Sequence, residues 1–171
     1  MDIIVNDTNI FIDLHSVGLL DEMCRLPYEI HTVDFVIAEI IETEQAKAIR
    51  ACVDRGLIHV HSFSNTEVGE IASEHSSVSG NLSFQDISVC YYARKGLYKL
   101  ITGDRRLRNY AEHQEVEVHG ILFLFDEMIG KGIISPELGA VKLNDLVAIN
   151  IRLPKSEVEL RIREWAQGKK P

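Results

Sequence analysis

Short strand-like runs, the first of them wholly apolar, alternate along this chain with longer stretches of helical character, and no β-hairpin signal breaks the alternation. Ile3-Ile4-Val5 stops at Asn6-Asp7, and further short runs lie around Glu29 to Val33, Leu57 to Phe63, Leu97 to Ile101 and Val116 to Val118. Strands without an inside-outside alternation are buried on both faces, and strands separated by helices pair in parallel through crossovers. The pattern therefore predicts an α/β fold, a parallel sheet of about five strands between two helical layers.

The intervening helices are expected from about Ile10 to Met23, then from Phe35 to Asp54 as one helix or a pair, opened by Asp34 as N-cap and stopped at Gly56. Further helices are expected at Thr66 to His75, Ser83 to Lys95 (closing at Gly96) and Arg105 to His113. Three more follow, near Ile121 to Lys131, Pro136 to Ile149 and Lys155 to Trp165. With 171 residues and no repeat or long linker, residues 1–171 read as one domain with a helical C-terminal extension from about residue 135.

The chain is 46% hydrophobic and 26% charged, the balance of a protein that buries a core. No apolar run approaches the ~20 residues that span a bilayer. The first residues lack the basic start and apolar stretch of a signal peptide, so the expected location is cytoplasmic. Cys24, Cys52 and Cys90 form no CxxC pair and read as buried thiols. Net charge is −8, with 18 basic against 26 acidic residues, which opposes nucleic-acid binding. Two features offset this. Acids gathered around a metal ion hold part of the surplus, and basic residues cluster at Arg94-Lys95, Lys99, Arg105-Arg106 and Arg108.

In open α/β sheets, ligands bind beyond the carboxyl ends of the strands. Asp7 follows the first expected strand and Asp104 the fourth; Glu39 lies on the helix after the second, and Asp86 opens the helix before the fourth. Such placement lets four carboxylates converge. Close carboxylates repel, and Mg2+ or Mn2+ relieves this, since hard cations take oxygen ligands. The chemistry that suits the set is metal-dependent phosphodiester hydrolysis.

Each acid also has a purely structural reading. Asp7 and Asp104 stand where helix N-caps stand, Ser83-Phe84-Gln85-Asp86 has capping-box spacing, and Glu39 suits a solvated helix face, with Glu42 an alternative ligand one turn on. Singly each reading favours structure; the convergence of all four favours function.

The segments Val5-Asn6-Asp7-Thr8-Asn9, Val36-Ile37-Ala38-Glu39, Leu82-Ser83-Phe84-Gln85-Asp86 with Ala93, and Ile101-Thr102-Gly103-Asp104-Arg105-Arg106-Leu107 resemble the PIN-domain family, above all its small members such as the VapC toxins of toxin–antitoxin pairs. Val118-His119-Gly120 before a helix fits as well. The resemblance covers about the first three-quarters of the chain. It implies a Rossmann-like sheet and a Mg2+- or Mn2+-dependent ribonuclease, with Asp7, Glu39, Asp86 and Asp104 as metal ligands and catalytic residues. It makes Asn9 and Thr102 polar supports, RNA the substrate, and an antitoxin protein and a second copy of the chain candidate partners. Arg106 stands where some members carry a further acid, which leaves open whether one metal or two are held.

Arg94, Arg105, Arg106 and Arg108 are candidate RNA-phosphate contacts, against a bland reading as a solvated helix face. His59 and His61 share one side of a strand but lack a third zinc ligand nearby in sequence. Tyr91 and Tyr92 read as core packing, and Arg161, Arg163, Lys169 and Lys170 as solvent-exposed. Two rival functions are a PIN-like RNA- or protein-binding module with catalysis weak or lost, and a haloacid-dehalogenase-type phosphatase. The latter needs an aspartate where Asn9 stands.

Overall fold

A computed structural model describes residues 2–41, 43–78 and 81–171, with Thr43 described in its backbone only. Five strands form one wholly parallel sheet: β1 (Asp2–Asn6), β2 (Tyr28–Val33), β3 (Ile58–His61), β4 (Lys99–Ile101) and β5 (Val118–His119). Their order is β3-β2-β1-β4-β5. The chain winds outward from β1 to β3, then returns to lay β4 on the other side of β1. The carboxyl ends of β1 and β4 therefore flank the point where the winding reverses, the place where such sheets open a crevice.

The helices are α1 (Thr8–Ser16), α2 (Leu20–Met23), α3 (Asp34–Glu39), α4 (Thr43–Asp54), α5 (Asn65–Ser77), α6 (Phe84–Gly96), α7 (Arg105–His113), α8 (Ile121–Gly130), α9 (Pro136–Ile149) and α10 (Lys155–Trp165). Burial explains the strand composition. Ile4, Val5, Ile30, Ile58, Leu100 and Ile101 lie in one apolar core with Ile10, Phe11 and Leu14 of α1, Val89, Cys90 and Ala93 of α6, and Leu124 and Phe125 of α8.

Several expected boundaries move, each for a local reason. The single helix expected over Ile10 to Met23 is two, because α1 closes on the carbonyls of Asp13 and His15 and Gly18 then turns the chain at φ +69°. The stretch from Phe35 to Asp54 is a pair, since Ile40 leaves helical geometry at φ −81°, ψ 93°. Val33 takes the N-cap position of α3, and Asp34, its first residue, accepts from the Phe35 N–H at 2.8 Å. Glu42 lies outside the described residues. The turn that ends α6 is made by Leu97 at φ 56°, not by Gly96. Gly96 serves close packing instead, since a Cβ there would lie 2.1 Å from the Tyr98 ring. That turn shortens β4 to three residues.

The C-terminal helices close over the core. Trp165 of α10 stacks on Phe125, and Gly139 lets α9 approach α8, because a Cβ there would lie 2.5 Å from Ile129 Cδ1. Arg161 is not a loose surface charge: its Nε and Nη2 fork onto Asp126 at 3.0 and 2.7 Å. The connector between α9 and α10 runs back to α1, where Asn150 Nδ2 donates to Asp13 at 2.6 Å and Arg152 Nη2 donates to Asn9 at 3.2 Å. Cys52 and Cys90 are buried and Cys24 half-buried, all as free thiols. Among the described residues no helix is long and apolar enough to cross a membrane.

Candidate active site

Asp7 and Asp104 do cap helices, and the capping explains their geometry. Asp7 Oδ1 accepts the Thr8 N–H at 2.7 Å, and Asp104 Oδ1 accepts those of Arg106 and Leu107 at 2.7 and 2.9 Å. The Asp86 capping box is also present, with Oδ2 on the Ser83 N–H at 2.7 Å. An N-cap places its carboxylate at the positive end of a helix, so these caps hold negative charge where backbone dipoles partly offset it. The structural and functional readings coexist.

Thr102 links the two strand ends. Its hydroxyl donates to Asp7 Oδ2 at 2.9 Å and accepts the Asp104 N–H at 3.0 Å. Asn9 adds a second donor to Asp7 Oδ2, at 3.3 Å. Glu39, at the end of α3, accepts the Thr8 hydroxyl at 2.6 Å, one residue from Asp7.

Electrostatics tie the acids together. Asp7 is only 4% exposed, and burial, reinforced by the nearby Asp86 charge, raises its carboxyl from 3.8 to about 6 despite the Thr102, Thr8 and Asn9 hydrogen bonds. Asp86 is raised by burial first and then by Asp104 and Glu39, against the lowering effect of Ser83. Each acid thus feels at least one of the others. Among the described residues none of the four forms an ion pair with a basic side chain. Excess negative charge at a strand-end crevice is what a cation site requires.

The donors suit a hard cation, being carboxylates with hydroxyl and amide oxygens beside them and no sulfur or imidazole. Among the described residues no three acidic, histidine or cysteine side chains are already gathered tightly enough to hold an ion. Ligation would therefore draw the carboxylates inward from their caps. Asn6, just before Asp7, is fully buried with neither amide atom hydrogen-bonded. A buried amide without a partner costs free energy until water or a ligand reaches it.

The four candidate arginines separate. Arg105 and Arg108 line a cavity of about 620 Å3 that begins at Thr102 and Gly103. Arg106 lines a different depression, with Asn81 and His113. Arg94 is spent on Glu74, which its two terminal nitrogens meet at 3.1 and 2.6 Å, and it lies eight residues along α6 from Asp86, about 12 Å by helical rise. Arg94 does not join the site.

The structure adds residues that sequence reasoning passed over. Asp13, Asn150 and Arg152 line the same cavity as Arg105, beside the stacked rings of His119 and Phe123. A third histidine, His31, stands opposite His59 in the β2–β3 register with ring centroids 5.0 Å apart. Its Nδ1 meets the Tyr92 hydroxyl at 2.8 Å, and His61 stacks on the Tyr92 ring. Only the strand register reveals that grouping. Tyr91 is buried and Tyr92 half-buried, as packing residues.

A comparison with curated proteins finds no match. Among solved structures, a PilT N-terminus domain protein, SSO1118, from the hyperthermophilic archaeon Sulfolobus solfataricus P2 is similar over 74% of this chain and 93% of its own, at 18% identity and a TM-score of 0.49. The family model that matches is DUF3368, PIN domain, over residues 3–167, a span that includes the C-terminal helices. The chain belongs to the PIN-domain family, a family of nuclease-like modules.

Proposed function

We propose that this chain is a divalent-metal-dependent ribonuclease, with Asp7, Glu39, Asp86 and Asp104 holding Mg2+ or Mn2+. One observation carries the reading: at the sheet's switch point the Asp86 charge helps raise Asp7, the Asp104 and Glu39 charges help raise Asp86, and among the described residues none of the four forms an ion pair with a basic side chain. A cation there would supply charge neutralisation and water activation for phosphodiester hydrolysis.

The chain's own residues supply the rest. Thr102 and Asn9 fix the orientation of Asp7, and Thr102 also ties the start of α7 to it. Thr8 holds Glu39 at the rim. Burial raises Asp7 to about 6, and a cation bound there would favour its charged form.

A second reading, a binding module without catalysis, draws on the engagement of all three aspartates by backbone N–H groups. Labelled RNA incubated without metal, with Mg2+ and with Mn2+, for wild type and Asp7→Asn, separates the two. The ribonuclease reading expects cleavage only when one of these cations is present and only by wild type. Equal cleavage by both proteins, or none by wild type with either metal, ends it.

A further inference from the structure

The cavity between α7, the β5–α8 junction and the α9–α10 connector is not needed to gather the carboxylates, yet it opens beside them. Thr102, which donates to Asp7, and Gly103, which precedes Asp104, form its near wall. Its volume, about 620 Å3, lies within the range of small-ligand sites. The floor is apolar, including Val118, Ile121 and Leu153, with the His119 and Phe123 rings stacked 4.2 Å apart at 23°.

The charges around the rim do not cancel evenly. Arg161 is consumed by Asp126 and Glu157. Asp13 is buried, raised by that burial, and hydrogen-bonded to Asn150. Arg105 forms no ion pair among the described residues; the exposed Arg152 donates to the neutral Asn9 side chain, and its charge also lies near enough to Asp13 to favour that carboxylate. Arg108 is braced by the Val118 carbonyl at 3.1 Å, with Glu112 3.6 Å away at its outer side. Gly120 leaves room for that guanidinium, since a Cβ there would lie 3.3 Å from Arg108 Nη2. Three guanidinium groups thus border an aromatic, apolar recess in an otherwise acidic protein.

Guanidinium forks match phosphate oxygens, and aromatic faces stack on bases of any identity. We propose that this cavity receives one unpaired nucleotide of a single-stranded RNA, adjacent to the bond to be cut. Its base lies against His119 and Phe123, and its phosphates meet Arg105, Arg108 and Arg152. A base held in a duplex cannot turn into such a recess, so the proposal selects single-stranded substrates. It rests on the ribonuclease reading for the position of the scissile bond, but its occupancy is measurable without cutting.

Binding is read by fluorescence anisotropy of a labelled single-stranded RNA, in an Asp7→Asn background with Mg2+ so that cutting does not intrude. Arg105→Ala weakens binding several-fold and lowers the salt slope by about 0.7. Arg25→Ala, the same charge removed from an exposed position before β2, at the opposite end of the sheet, leaves it unchanged. Phe123→Leu keeps an apolar side chain but removes the stacking face, for a loss of about tenfold. Circular dichroism melts confirm that each variant is folded. A duplex of the same sequence binds more weakly than the single strand and is insensitive to Phe123→Leu. Equal losses for Arg105→Ala and Arg25→Ala, or a Phe123→Leu effect as large on duplex as on single strand, overturn the proposal. Failure of wild type to cut while this binding pattern holds counts against the ribonuclease reading and leaves the cavity's occupant standing.

Discussion

Two groups of charged residues lie near the two ends of α6, and they are built on opposite principles. Toward the carboxyl end of α6, Glu74 of α5 receives both terminal nitrogens of Arg94 and the hydroxyl of Tyr110, with Gln114 beside them. Every charge there has its opposite. At the start of α6, Asp86 lies near Asp104, Glu39 and Asp7, and among the described residues the polar relief comes from hydroxyls, an amide and backbone N–H groups. The first group contributes to holding α5, α6 and α7 together. The second carries raised, unpaired carboxylates, the condition on which the proposed cation site rests.

The strongest way to break this contrast is Asp7→Asn. Metal-dependent RNA cleavage should fall at least ~100-fold, the scale of losing a transition-state charge partner. The same substitution should stabilise the metal-free protein. Because the folded protein raises Asp7 from 3.8 to about 6, folding favours its neutral form. That contribution is complete below about pH 4 and is lost as pH rises through about 6. The amide of the variant cannot ionise, so urea melts in EDTA should show the variant gaining on wild type between pH 5 and pH 7.5, by about 1.4 kcal/mol. A gap that is flat or closes over that range would remove the penalty from the acidic group.

Arg94→Met attacks the other group. It strands Glu74, and since both partners retain some solvent contact the loss should be about 2 kcal/mol rather than the full value of a buried pair. Urea midpoints should drop equally with and without Mn2+; a metal-dependent drop would mean the two groups are coupled. Mg2+ at ten times its dissociation constant should stabilise wild type by about 1.4 kcal/mol and Asp7→Asn by much less, as scanning calorimetry would show. The smallest effect expected is for Ser83→Ala. It removes one half of the Asp86 capping box, for about 1 kcal/mol by urea melts, while freeing Asp86 to turn toward a cation.

The parallel sheet was legible because Ile3-Ile4-Val5 and Leu100-Ile101 are apolar on both faces and then stop at polar residues. Those stops also made Asp7 and Asp104 visible. Glu39 and Asp86 were legible through helix placement, and the structure puts them beside the strand ends, although their roles as ligands remain a proposal. What stayed hidden depends on long-range pairing. Nothing near Arg152 signals that it bonds Asn9, and nothing near His31 signals that it faces His59, since each contact is created by tertiary packing or strand register. Gly96 marked the end of α6 correctly, but the left-handed turn falls one residue later, at Leu97, while Gly96 leaves space for the Tyr98 ring.

The bond from Asn150 to Asp13 joins positions 137 residues apart. During translation the first strand and its aspartate emerge early, whereas the connector that walls the cavity is among the later segments to leave the ribosome. A nascent chain would thus hold all four carboxylates, with Arg105 and Arg108 beside them, well before Arg152 can close the cavity. On the ribonuclease reading, a chain assembled in that order completes its grip on RNA only after the carboxylates that would cut it are already in place.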